Sequence, residues 1–270
     1  MDLRDILLFL HVEAPMEPAA EIAFGLAQAH EAGLTVCCLC PDPEPALSDG
    51  FSLGEAAADA VLARRDREIS AMTFPLELAF RAAAAKRKVA PDWLVPDPNG
   101  AQEELTRRAQ VYDLAIVARG PTRSLASAIA SQSGGPCILA GRRPVGAFER
   151  IVVAWNGSPQ ARRALDDAMP LLRRAQIVEL LVLGDDPAWL DHCSPERVIH
   201  RLARHGVAAT LRILPHQGGE GAALALACEA IGADLLVMGA YSHSPARESV
   251  LGGATRAVLA EFPIPVLMSH

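Results

Sequence analysis

The chain has 270 residues, 51% of them hydrophobic and only 4% aromatic, enough to bury one large core or two smaller ones. Lys and Arg total 25 against 32 Asp and Glu, a net charge of −7. That balance excludes non-specific binding to nucleic acid or to an anionic membrane surface, which needs an excess of positive charge.

The N-terminal stretch from Met1 to Pro18 holds an apolar run of only Ile6 to Leu10, flanked by acidic residues and prolines. It is too short and wrongly flanked for a signal peptide or a spanning helix. Asp5 to Leu10 (DILLFL) instead reads as a strand buried on both faces. A helical stretch from Pro18 to Ala32 follows, then the strand LTVCCLC. Its Cys37, Cys38 and Cys40 pass as small buried hydrophobes in an apolar run, because six cysteines in so long a chain do not make a disulfide framework. Free thiols and the absence of a membrane segment point to a cytoplasmic protein.

Phe51 to Arg67 and Ala79 to Lys88 read as two helical stretches, and Trp93 to Val95 as a third strand. YDLAIVARG (Tyr112 to Gly120) and GGPCILA (Gly134 to Ala140) complete the first half. The Pro, Gly and charge of Gly141 to Glu149 mark a linker. RIVVAW (Arg150 to Trp155) then opens a second series: helix Gln160 to Arg174, strand Ile177 to Leu183, helix Pro195 to Arg204, strand Ala208 to Leu214 and helix Gly219 to Ile231. ADLLVMGAY (Ala233 to Tyr241) and FPIPVLM (Phe262 to Met268) close it in the cadence that closes the first half. Strands alternating with helices imply βαβ crossovers and a parallel sheet in each half. Ser158 in WNGSP reads as a helix N-cap.

The most informative segment is LVMGAYSHSPARESVLGGATRAVL, Leu236 to Leu259. An apolar strand breaks at Gly239, loops, and re-enters a helix through Gly252 and Gly253, a layout that brings backbone amides and a helix N-terminus to a phosphate. The spacing resembles the nucleotide motif of the universal stress protein family: glycine, two residues, glycine, nine residues, glycine, then a small or hydroxyl residue. The VVAWNGS opening and the PIPVLM strand are similar to that family too, and the whole chain resembles a tandem member.

The resemblance implies an α/β fold of two doubly wound domains, each a five-stranded parallel sheet of order 3-2-1-4-5 flanked by helices. Residues 1–145 would be the degenerate domain and 146–270 the one with the glycine motif. It implies a regulatory stress-response protein that binds ATP, with Mg, or a related nucleotide. The implied nucleotide-binding residues are Ala154, Trp155, Asn156, Leu183, Met238, Gly239, Ser242, His243, Gly252, Gly253, Ala254 and Thr255. It also implies pairing of the last strands, Pro136 to Ala140 with Pro265 to Met268, as an intramolecular pseudo-dimer, and allows a homo-dimer.

Three positions depart from the family. Ser242 stands for a glycine, Asn156 for the usual aspartate, and Gly253 for a serine or threonine whose hydroxyl Thr255 could supply. The first half, with Pro121 after Gly120 and no second glycine in register, is expected to hold no nucleotide. His243, Ser244 and Arg247 either face phosphate or are ordinary exposed loop residues, and Trp155 either stacks on a base or packs. A nucleotide-free interaction module, with a vestigial pocket or another small ligand, stays open as the alternative. His192, Glu196 and His200, spaced by four, would share a helix face, but Pro195 interrupts them and no metal is expected. Enzyme signatures such as GxSxG, GxxxxGK[ST] and GxGxxG after the first strand are missing from the sequence.

Overall fold

The structure, a computed structural model, describes residues 2–43, 55–215, 219–240, 255, 258–260 and 262–270, and the side chains of all of these except 55–58 and 123. Its elements begin with β1 (Asp5–His11), α1 (Glu17–His30), β2 (Gly33–Leu39), α2 (Glu55–Lys86), β3 (Asp92–Leu94), α3 (Gln102–Ala109), β4 (Leu114–Val117), α4 (Arg123–Gln132) and β5 (Cys137–Leu139). The second half contributes β6 (Arg150–Ala154), α5 (Pro159–Asp167), α6 (Met169–Leu172), β7 (Ile177–Leu183), α7 (Pro187–Cys193), α8 (Pro195–Arg204), β8 (Ala209–Leu214), α9 (Glu220–Ile231), β9 (Leu235–Gly239) and β10 (Val266–Ser269).

Among the described residues ten strands lie in one sheet of order β3-β2-β1-β4-β5-β10-β9-β6-β7-β8. Read within each half, this is 3-2-1-4-5 twice, and every pairing inside a half is parallel. The halves join where β5 and β10 pair antiparallel, Leu139 with Val266, Ile138 with Leu267 and Cys137 with Met268. Two edge strands that would each expose a row of unpaired N–H and C=O groups thereby satisfy one another.

Strand alternation sends successive side chains to opposite faces, and the two faces carry two cores that each span both halves. On one, Ile6, Leu8, Ile116, Ile138, Ile151, Val237 and Leu267 pack under α1, α2, α5 and α8. On the other, Leu7, Phe9, Val117, Leu139, Leu181, Met238 and Val266 pack under α4 and α9. The near-continuous apolar strands follow from burial on both faces.

An aspartate repeated in the two halves ties the sheet together below the switch points. The Asp113 carboxylate accepts the backbone N–H groups of Arg4 at 2.7 Å and Asp5 at 3.0 Å. Asp234 accepts those of Glu149 at 2.8 Å and Arg150 at 3.0 Å. Burial pushes the Asp234 carboxyl above its ordinary value, against the two hydrogen bonds that favour its charged form.

Several helices differ from the sequence expectation. Phe51–Arg67 and Ala79–Lys88 are not separate, since α2 runs unbroken through Pro75. The proline lies on the solvent side, where water can take the carbonyl it leaves unbonded, while Thr73, Phe80 and Ala84 keep the helix seated on the core. The expected helix 160–174 is divided at Ala168, because Pro170 cannot donate to the carbonyl four residues back. Helices α3 and α7 were not expected from the sequence. Among the described residues, no helix is long and apolar enough to cross a membrane.

Candidate functional site

The strand order reverses between β6 and β9, which makes the ends of these strands the natural ligand position in an open α/β sheet. The β6–α5 connection is built from Trp155, Asn156, Gly157 and Ser158. Gly157 takes φ +74, a left-handed conformation open to glycine. Asn156 Oδ1 accepts both the Ser158 backbone N–H at 3.1 Å and the Ser158 hydroxyl at 2.7 Å. The Ser158 hydroxyl oxygen in turn accepts the Ala161 N–H at 3.1 Å, so Ser158 caps α5 as its position predicts.

Gly239 ends β9 against the first turn of α5. A Cβ there would overlap the Ala161 backbone nitrogen and would lie 2.8 Å from Gln160 Cβ. The strand therefore reaches the helix N-terminus at backbone-to-backbone distance, which a side chain forbids. Beyond it Ala240 is fully buried, its N–H donating to the Ser269 carbonyl at 2.8 Å.

The structure distributes the sequence-predicted residues over both faces of the sheet. Ala154, Leu183 and Met238 share the face of the α9 core. Trp155 turns to the opposite face, where it is buried and donates its indole N–H to the Cys193 carbonyl at 2.7 Å. Its ring is packed into that core, with the N–H satisfied. Thr255 is helical and buried. Ser242, His243, Gly252, Gly253 and Ala254, together with Ser244 and Arg247, lie outside the described residues.

Sequence reasoning missed the rim that follows β7. Gly184 takes φ +127 and a Cβ on it would meet the Trp189 ring at 2.9 Å, so the loop lies flat on the indole. Trp189 itself stacks on His192, ring centroids 5.9 Å apart. The signal was available in Asp186-Pro187: Asp186 accepts the Trp189 N–H at 2.9 Å as the α7 N-cap, with proline at the first helical position. His192 closes α7 while Glu196 and His200 belong to α8, separated by the left-handed Ser194. Among the described residues no group of three or more His, Cys, Asp or Glu is placed to hold a metal.

A family model described as the universal stress protein family matches residues 147–270. No curated protein matches the sequence. Among solved structures, a universal stress protein from Archaeoglobus fulgidus DSM 4304 is similar at a TM-score of 0.67 and 16% identity, covering 97% of this chain and 95% of that one. A putative universal stress protein from Pseudomonas aeruginosa UCBPP-PA14 gives 0.57 at 15% identity, over 99% of this chain and 93% of the other. At these identities the two structures speak to the fold, and they do so across both halves.

Proposed function

Because the chain belongs to the universal stress protein family through residues 147–270, we propose that its second half binds ATP or a related nucleotide, with Mg where a triphosphate is bound. The ligand would lie across the C-terminal ends of β6 and β9, and the protein would act by conformation or choice of partner, with at most slow hydrolysis. The observation that carries this reading is the approach of Gly239 to the first turn of α5 at the switch point. A glycine that lets strand and helix pack this closely is one of the glycine roles in nucleotide-binding folds of this class. Gly252, Gly253 and Ala254 would supply the amides for phosphate at the family's spacing.

A second reading, a nucleotide-free interaction module, is favoured by Asn156. Its carbonyl oxygen is spent on the Ser158 N–H and hydroxyl, and an amide brings no negative charge to the nucleoside side. Mass spectrometry of small molecules released by denaturing the purified protein separates the two. ATP, ADP or a related nucleotide is expected in near-stoichiometric amount. Protein that carries none as purified and takes none up from millimolar ATP would support the second reading.

A further inference from the structure

The first half, which lacks the glycine motif, has a cleft of its own at its switch point. Its volume is about 230 Å³, and it opens between the ends of β1 and β2, the loop after β3, and the start of α4. Leu39, Leu105 and Leu125 form apolar walls, and His11, Gln102 and Ser124 supply the polar groups. His11 occupies the place that Asn156 holds in the second half. Each lies five residues beyond the one paired with the start of the neighbouring strand, Ile6 with Leu114 and Ile151 with Leu235.

The imidazole is prepared to donate. Its side chain is only 12% exposed, and Nδ1 accepts the Glu13 N–H at 3.2 Å, which leaves the proton of the neutral ring on Nε2. Burial lowers its pKa, with the Glu13 carboxylate opposing, so the ring is neutral at pH 7.

Size and charge restrict what can enter. The cleft falls below the ~300–1,000 Å³ of pockets for drug-sized ligands, so it suits a fragment of one or two rings. Asp97 stands at its rim, held by Arg65 at 2.5 Å, and Arg65 also grips Asp42 at 3.1 Å. Among the described lining residues there is no Lys or Arg. A triphosphate would meet carboxylates there with a guanidinium already engaged by two of them.

We propose that this cleft is a binding site for an uncharged nitrogen heterocycle, whose ring lies between the leucine walls and whose acceptor nitrogen or carbonyl takes the His11 Nε2–H. The site goes beyond the nucleotide reading of the second half and does not depend on it.

The test is titration of the full-length, 15N-labelled protein with adenine, nicotinamide and ATP, watched at the His11 imidazole nitrogens. Adenine or nicotinamide is expected to shift the His11 Nε2 signal with a Kd on the order of 1 mM, and ATP to do so at least tenfold more weakly. Ser124 is exposed on α4, so Ser124→Trp blocks the mouth without touching the core and should weaken the response at least tenfold while leaving Tm unchanged. Gly252→Val should leave it untouched, which separates this site from the proposed nucleotide site. No His11 shift with either heterocycle, an equal shift with ATP, or an unaltered response in Ser124→Trp would each overturn the proposal.

Discussion

Leu267→Asp is expected to cost about 4 kcal/mol or more and to unfold both halves together. Leu267 is 1% exposed and pairs with Ile138 across the antiparallel seam, where the sheet of one half hands over to that of the other. Its side chain enters a core that contains Ile6 and Ile116 from the first half and Ile151 and Val237 from the second. A carboxylate there has no partner and no water, so it must either be neutralised or open the seam. Urea unfolding of single-tryptophan versions, retaining Trp93 in the first half or Trp189 in the second, provides the measurement. Both probes should move to the same lower midpoint, because the halves share both cores. A Trp93 transition left at its parent midpoint would show that the first half stands without the seam.

Gly239→Ala should cost about 2–3 kcal/mol although it adds a single methyl group. The new Cβ overlaps backbone on α5, at the Ala161 nitrogen, and backbone cannot rotate away as a side chain can. To relieve the overlap, α5 must move off β9 or β9 must leave the sheet, where it pairs with both β6 and β10. The equivalent residue of the first half, the fourth after the start of β4, is already an alanine, Ala118, and is fully buried. Ala118→Gly therefore serves as a control, expected to cost about 1 kcal/mol through lost packing and a freer unfolded chain. Denaturant midpoints of the two variants decide the matter. Equal small losses would mean that the bare backbone at Gly239 is not required for the strand to meet the helix.

The strands were legible because a strand buried on both faces has to be largely apolar, as DILLFL, RIVVAW and IVELLVL are apart from Asp5 and Arg150 at their starts and Glu179, which faces Arg212 at 3.5 Å. Their order was not carried by periodicity and came from the family resemblance. Where the reading failed, tertiary contacts had overruled local signals. Pro75 lies within α2 because the faces around it are held by Phe80 and Ala84, and no local rule anticipates such support. Helix α3 has a mean composition too polar to stand out, and Thr106 and Ala109 are its buried footing. Helix α7 carried an Asp-Pro start signal but is only seven residues long.

At the site, Ser158 was readable as a cap because its role is local, whereas the orientation of Trp155 was not. Whether an aromatic at the end of a strand faces a ligand or the core depends on the strand parity and on the Cys193 carbonyl, 38 residues further along the chain. The first-half cleft was the least legible feature of all. Its walls come from four separate segments with no fixed spacing, and the missing glycine motif pointed away from any site there.

The proposed function has the second half hold a nucleotide through the backbone at Gly239 and Gly252. Calorimetric titration of ATP into the parent protein and into Gly252→Val tests it most directly, with Ser242→Gly combined with Asn156→Asp as the variant nearest the family pattern. One ATP per chain is expected for the parent, no measurable binding for Gly252→Val, because the side chain blocks close approach to phosphate, and equal or tighter binding for the double variant. Equal affinity in the parent and Gly252→Val would contradict the proposed phosphate site, and a parent that binds nothing while the double variant does would contradict a live nucleotide site in this chain.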